Sequence, residues 1–128
     1  MAEQMIFKRF EIKSMLNSAQ FKELHDEMKN YMIEDVHGKS TNCSLYFDTP
    51  HFLLVRRSME HPMYKEKLRV RSYGIADRDS TVVIELKKNY VSVTYKRRIA
   101  LSRDEMEKYL IEKTVNPDTQ ITHEIDYC

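Results

Sequence analysis

The fold is decided by the segment YKEKLRVRSYG, residues 64–74, in which cations alternate with other side chains. Four cations occupy every second position of this segment: Lys65, Lys67, Arg69 and Arg71. Successive side chains of a β-strand point to opposite faces, so all four would project from one face. The pattern therefore predicts a two-faced strand with a strongly cationic face.

Two later segments, TVVIELKK (81–88) and VTYKRRIAL (93–101), repeat this alternation. One face of each is largely aliphatic, and the charged side chains on the other face are Glu85, Lys87, Lys96 and Arg98. The short links favour an antiparallel meander with a tight turn near Asn89–Tyr90. The predicted strands cover roughly residues 64–73, 80–89 and 92–101.

The remaining segments predict further strands and several helices. The predicted elements are a strand over 5–15, a helix over 18–33 capped by Asn17 or Ser18, a strand over 43–49, a short helix or loop over 51–60, a helix opened by the capping box Ser102–Glu105, and the beginning of a last helix after Asn116. The apolar sheet face can pack helices. We therefore expect one α+β domain, residues 1–128, with helices on the apolar face of an antiparallel sheet.

Composition places the chain among soluble globular proteins. It has 128 residues, of which 41% are hydrophobic and 32% charged, enough for one domain with a core. No apolar run is long enough to cross a bilayer, and the N-terminus lacks a secretory signal. Cys43 and Cys128 lack metal-site spacing. A cytoplasmic protein is expected.

Cations are concentrated in the middle of the chain. Residues 56–98 contain 12 Lys or Arg and 5 Asp or Glu, a net charge of +7 in a chain whose overall net charge is +1. A solvated sheet face is one explanation. Exposed faces usually mix signs, however, and like charges opposite one another destabilise a sheet. The concentration favours an anionic partner, and arginine suits phosphate. No specific nucleic acid is expected.

Five motifs together resemble the VTC domain, the polyphosphate polymerase domain. They are RFEIK (9–13), SLYFDTP (44–50), YKEKLRVRSYG (64–74), VVIELKK (82–88) and YKRRIAL (95–101). Their order and spacing match from about residue 5 to the end of the chain. The VTC domain belongs to the triphosphate tunnel metalloenzyme superfamily, alongside the CYTH proteins.

The resemblance implies a closed antiparallel β-tunnel that binds ATP and polyphosphate. It implies transfer of the γ-phosphoryl group of ATP to a polyphosphate chain, with a divalent cation, manganese or magnesium, as cofactor. The implied catalytic residues are Arg69, Arg71, Lys87 and Lys96. The implied phosphate-binding set contains these four with Lys13, Lys67 and Arg98. Both arginines of the segment 64–74 are expected outside the apolar core.

Two glutamates are candidate ligands for the divalent cation. Glu11 and Glu85 fall among the cations and offer the oxygen ligands that a hard cation prefers. Pairing with a neighbouring Arg or Lys is the alternative for each. Asp48, in the segment YFDTP, is interpreted as a turn or cap residue rather than a catalytic base.

The chain departs from the family pattern in two places. Arg9 stands where the E-x-E-x-K signature begins with a glutamate, so only Glu11 and Lys13 match. The family domain also continues beyond this sequence, so we expect the N-terminal portion of a tunnel, and the sequence leaves open whether this portion is active alone. A non-catalytic phosphate- or polyphosphate-binding module, whose dimer would complete the barrel, and a tunnel-type triphosphatase are the alternatives.

Overall fold

The computed structural model describes residues 12–128, and its contacts divide the chain into two units, residues 1–38 and 39–128. The first unit contains helix α1 (Ser18–Met28). Asn17 caps this helix as predicted, because its side chain accepts a hydrogen bond from the backbone N–H of Gln20 at 2.9 Å. The helix ends five residues before the predicted boundary. The predicted strand over 5–15 lies mostly outside the described residues, and residues 12–15 form no strand.

The second unit is an antiparallel sheet with helices. Its elements in chain order are β1 (Asn42–Phe47), α2 (Leu53–Met59), β2 (Tyr64–Tyr73), β3 (Thr81–Tyr90), β4 (Val93–Ser102), α3 (Arg103–Met106) continued by a π-helical turn (Glu107–Ile111), and α4 (Gln120–Tyr127). The strands lie in the order β1-β2-β3-β4, and every neighbouring pair is antiparallel. The α+β class and the meander are confirmed.

The apolar face of the sheet packs against the C-terminal helices, as the alternation predicts. The buried core consists of Val70, Val82, Ile84 and Leu86 from the sheet with Met106, Tyr109, Leu110 and Ile125 from the helical segments. Burial of each large apolar side chain contributes about 1.5–3 kcal/mol. The C-terminal helices therefore cover the apolar face of the sheet. The charged face is not covered by α3 or α4.

Two predicted caps are confirmed by their hydrogen bonds. The Asp48 carboxylate accepts from the backbone N–H groups of Leu54 at 2.9 Å and Val55 at 3.0 Å, at the start of α2. Desolvation opposes the charged form of Asp48, but these N–H groups lower its pKa below the usual value. Ser102 and Glu105 form the predicted capping box of α3.

The sheet is open within the described residues. Strands β1 and β4 are its edges, and no strand among residues 12–128 pairs with their outer sides. The closed tunnel therefore stays a prediction. No described helix combines the length and the apolar character needed to cross a membrane.

The turn between β3 and β4 offers a test of local strain. The turn residues are Val91 and Ser92, two positions beyond the predicted turn, and both have positive φ, 46° and 65°. A two-residue hairpin of this kind favours Asn-Gly, whereas a β-branched residue with positive φ is strained. The double replacement Val91→Asn and Ser92→Gly is expected to stabilise the protein by about 1–2 kcal/mol, measured by urea unfolding. An unchanged unfolding midpoint would contradict the turn geometry.

Candidate functional site

The charged face of the sheet collects the cations that the alternation predicts. We call it the cationic face, and its charged residues are Lys65, Lys67, Arg69, Arg71, Glu85, Lys87, Lys96 and Arg98. Seven of these are cations, and Glu85 is the one acid among the strand residues of this face. The strand register arranges them into rows that cross the sheet.

One row crosses all four strands and contains Tyr46, Arg69, Glu85 and Arg98 in that order. We call it the arginine–glutamate row. Glu85 is 1% exposed, and its two carboxylate oxygens accept from different partners. Oε2 accepts from Nε of Arg69, and Oε1 accepts from Nε of Arg98 at 2.8 Å. Nζ of Lys96 lies 3.6 Å from Oε1. Glu85 therefore pairs with three cations.

These contacts keep Glu85 ionised. Burial raises the pKa of the Glu85 carboxyl, but the hydrogen bond and charge of Arg69, with Lys96 and Arg98, outweigh burial and lower the pKa below 4.5. Arg69 is also buried, and its Nη1 donates to the Tyr46 hydroxyl at 3.3 Å. That hydrogen bond lowers the pKa of Tyr46. Within this row, one carboxylate offsets one of the two guanidinium charges, and a net charge of +1 remains.

Acid is expected to weaken the fold through Glu85. Because its folded pKa is lowered, the carboxylate contributes stability above its usual pKa of 4.5 and loses it as the pH falls through the folded pKa. The difference in unfolding free energy between the wild type and Glu85→Gln should therefore be largest near neutral pH and narrow below pH 4.5. Urea unfolding between neutral pH and about pH 3 measures this difference. A constant difference would contradict the ion pairs.

A second row crosses β2, β3 and β4 and consists of Lys67, Lys87 and Lys96. We call it the lysine row. Neighbouring strands lie about 4.7–4.9 Å apart, so directly opposite ammonium groups repel one another. Among residues 12–128, no carboxylate lies within 4.0 Å of the ammonium groups of Lys67 and Lys87. Two of the three ammonium groups of the lysine row, those of Lys67 and Lys87, therefore form no ion pair with a carboxylate among residues 12–128.

The pKa values of Lys87 and Lys96 lie below the usual value for lysine, and burial is the main cause. Burial lowers the pKa of Lys87, and the charge of Arg69 lowers it further. Burial likewise lowers the pKa of Lys96, against the opposing attraction of Glu85. Both shifts mean that the charged forms are disfavoured in the unliganded sheet. A bound anion would relieve this penalty.

Six of the predicted phosphate-binding residues lie on the cationic face: Lys67, Arg69, Arg71, Lys87, Lys96 and Arg98. Lys13 belongs to the first unit, and Glu11 lies outside the described residues. Arg69 is outside the apolar core, as expected, but it is buried within the charged row. Tyr46 was missed, because only the register shows that it lies opposite Arg69.

The surroundings of Glu85 match the pairing alternative, while metal ligation by Glu85 and Glu11 stays a prediction. A divalent cation at Glu85 would have to compete with three cations that already lie within 4.0 Å of the carboxylate. Among residues 12–128, no three His, Cys, Asp or Glu side chains are grouped so that they could hold a metal ion. Among residues 12–128, the contacts of Glu85 therefore favour ion pairing, and a metal site that also uses Glu11 stays a prediction.

The sequence of the chain can be compared with those of known proteins. No curated protein and no solved structure matches the sequence significantly. The family model of the VTC domain matches residues 8–126, nearly the whole chain. This span includes all four strands and the cationic face. The chain belongs to the VTC domain family.

Proposed function

We propose that this chain is a polyphosphate-polymerase-like domain that holds ATP and polyphosphate against the cationic face. The lysine row carries the proposal, because three cations stand side by side and, among residues 12–128, Lys67 and Lys87 form no ion pair with a carboxylate. Repulsion between these side chains destabilises the sheet unless a bound anion neutralises their charge. A polyphosphate chain carries negative charge on every phosphate and suits a row of cations.

The proposed reaction transfers the γ-phosphoryl group of ATP to the end of a polyphosphate chain. A terminal oxygen of the chain forms a bond to the γ-phosphorus, the bond from that phosphorus to the β,γ-bridging oxygen breaks, and ADP leaves with the electron pair. Such a transfer needs in-line positioning and neutralisation of charge more than covalent help from the protein. Arg69, Arg71, Lys87 and Lys96 are proposed for this role, with Lys67, Arg98 and Lys13 as further phosphate contacts.

A divalent cation, manganese or magnesium, is proposed to accompany the nucleotide. Phosphate oxygens are hard ligands that such ions prefer, and magnesium sites commonly use substrate phosphates with few protein carboxylates. The cation would reduce the charge of the triphosphate before it meets the sheet. The proposed transfer does not depend on any residue among 12–128 acting as a ligand of this cation.

A non-catalytic module that binds phosphate or polyphosphate is the second candidate. The open sheet favours it, because an open face admits water and unpaired edges invite a second copy of the chain. Two copies completing one barrel would give a homodimer. A measurement of molecular mass in solution, with and without tripolyphosphate, separates this arrangement from a monomer.

The proposed activity is tested by incubating the chain with ATP and manganese and resolving the products by length. Long-chain phosphate together with ADP is expected from a polymerase. Binding of polyphosphate without turnover would favour the non-catalytic module. Release of orthophosphate from tripolyphosphate, without polymer, would identify a triphosphatase instead. The variant Lys87→Met serves as the control, because it removes the central cation of the lysine row.

A further inference from the structure

Glu85 is a buried acid in the centre of a cationic face. Its side chain is 1% exposed, and the side chain of Arg69, its buried partner, is 9% exposed. Buried charges strongly disfavour folding unless they are paired and hydrogen-bonded. The arginine–glutamate row satisfies this condition through one carboxylate, so the whole row depends on Glu85.

The contacts of Glu85 are those of a small bound anion. Two guanidinium groups approach its separate oxygens through their Nε atoms, and the ammonium of Lys96 lies nearby. Charge-assisted contacts from Arg and Lys are the ones that phosphates accept in proteins. The three partners come from β2 and β4, on either side of the strand that carries Glu85. The carboxylate thus links three strands.

The cations of the cationic face differ in whether they form an ion pair with Glu85. It contacts Arg69, Lys96 and Arg98 and leaves Lys67 and Lys87, the rest of the lysine row, without a described ion pair. Lys96 lies in the lysine row and also contacts Glu85. The two rows are therefore joined at Lys96, and among the described cations of the lysine row only Lys96 contacts Glu85.

We propose that Glu85 is an internal counter-ion, which takes the place of a ligand anion among Arg69, Lys96 and Arg98. It acts as a positioning residue, because it holds these cations in the unliganded sheet and leaves Lys67 and Lys87 for a polyanion. The inference rests on the proposed function for the identity of that polyanion. The counter-ion role of Glu85 does not depend on that identity. It requires only that a free anion can take the place of the Glu85 carboxylate.

The inference is tested with Glu85→Gln in the full chain, and Glu66→Gln is the matched control. Glu66 also lies in the sheet, but it is on the opposite face and accepts a hydrogen bond from Tyr64. In sodium chloride, Glu85→Gln is expected to lower the melting temperature by on the order of 10 °C, and the control by much less. Replacing chloride with sulfate at equal ionic strength should then stabilise Glu85→Gln more than the wild type or the control.

Anion rescue distinguishes a counter-ion from a side chain that only packs. Sulfate stabilises most proteins, so the decisive quantity is the extra increase in melting temperature of Glu85→Gln over Glu66→Gln. An equal increase in both variants would overturn the inference. So would a Glu85→Gln protein as stable in chloride as the control. Either result would leave tripolyphosphate binding by the wild type, and hence the proposed function, untouched.

A second variant covers the case in which Glu85→Gln does not fold. Removing one of its cations as well, in Glu85→Gln with Arg98→Met, should restore part of the lost stability, because Arg98 is the half-exposed partner. A double variant that is less stable than, or as poorly folded as, the single one would overturn the inference. In a further combination of results, sulfate restores the melting temperature of Glu85→Gln while the wild type fails to bind tripolyphosphate. That combination would support the counter-ion role of Glu85 and contradict the proposed function.

Discussion

Replacing Lys87 with methionine is expected to weaken tripolyphosphate binding by about 10–100-fold, since a hydrogen bond to a charged group contributes about 1.5–3 kcal/mol. Lys87 stands between Lys67 and Lys96 in the lysine row, so an anion on this row would contact it. The same replacement is expected to stabilise the unliganded protein by up to about 1 kcal/mol, because it removes two like-charge pairs across the strands. Calorimetric titration and urea unfolding measure the two effects.

The control for this experiment is Lys88→Met. Lys88 is the next residue of β3, but its side chain lies on the opposite face, where its strand neighbours are Glu66 and Tyr95. Tripolyphosphate binding should be unchanged in this variant. Equal loss of binding in both variants would mean that the sheet face does not matter. A destabilised Lys87→Met would show that the lysine row serves the fold.

Replacing Arg69 with methionine is expected to have the opposite effect on the fold. Removing one partner of a buried ion pair destabilises proteins by about 3–5 kcal/mol, and here Arg98 and Lys96 still contact Glu85, so about 3 kcal/mol is expected. This is a large share of the total stability of a domain, about 5–15 kcal/mol. Urea unfolding measures the loss, and tripolyphosphate binding should weaken as well.

Arg71→Met is the matched control for Arg69→Met. Arg71 lies two residues further along β2 on the same face, but it is only partly buried and its Nε donates to Ser44 Oγ at 3.3 Å. Its replacement is expected to change stability by less than about 1 kcal/mol while weakening phosphate binding. Equal destabilisation by the two variants would contradict a stabilising role of the buried ion pair between Arg69 and Glu85.

The two faces of the sheet could be predicted from the sequence because side-chain alternation does not depend on distant contacts. The segment 64–74 gave the bounds of β2, and β3 and β4 lie one residue further along the chain than predicted. This difference leaves every side chain on its predicted face, because facing follows from the alternation alone. The helices on the apolar face follow from the same pattern.

The turn and the contacts of Glu85 could not be predicted in this way. Asn89 suggested a turn at 89–90, since Asn is a common turn residue, but the structure turns at Val91–Ser92 with unfavourable residues. Glu85 was placed on the cationic face, yet its partners depend on the register between strands. That register follows from the packing of the whole sheet. The cations that pair with Glu85 could therefore be told apart from Lys67 and Lys87 only in the structure.

The cationic face is proposed to bind a polyphosphate, and calorimetric titration of the full wild-type chain with tripolyphosphate measures this binding. The titration is repeated at several salt concentrations. We predict saturable binding whose affinity falls steeply with salt, since cations at the lysine row and its neighbours must release or screen their counter-ions. No binding at low salt, or an affinity that does not change with salt, would contradict phosphate binding by the cations of this face.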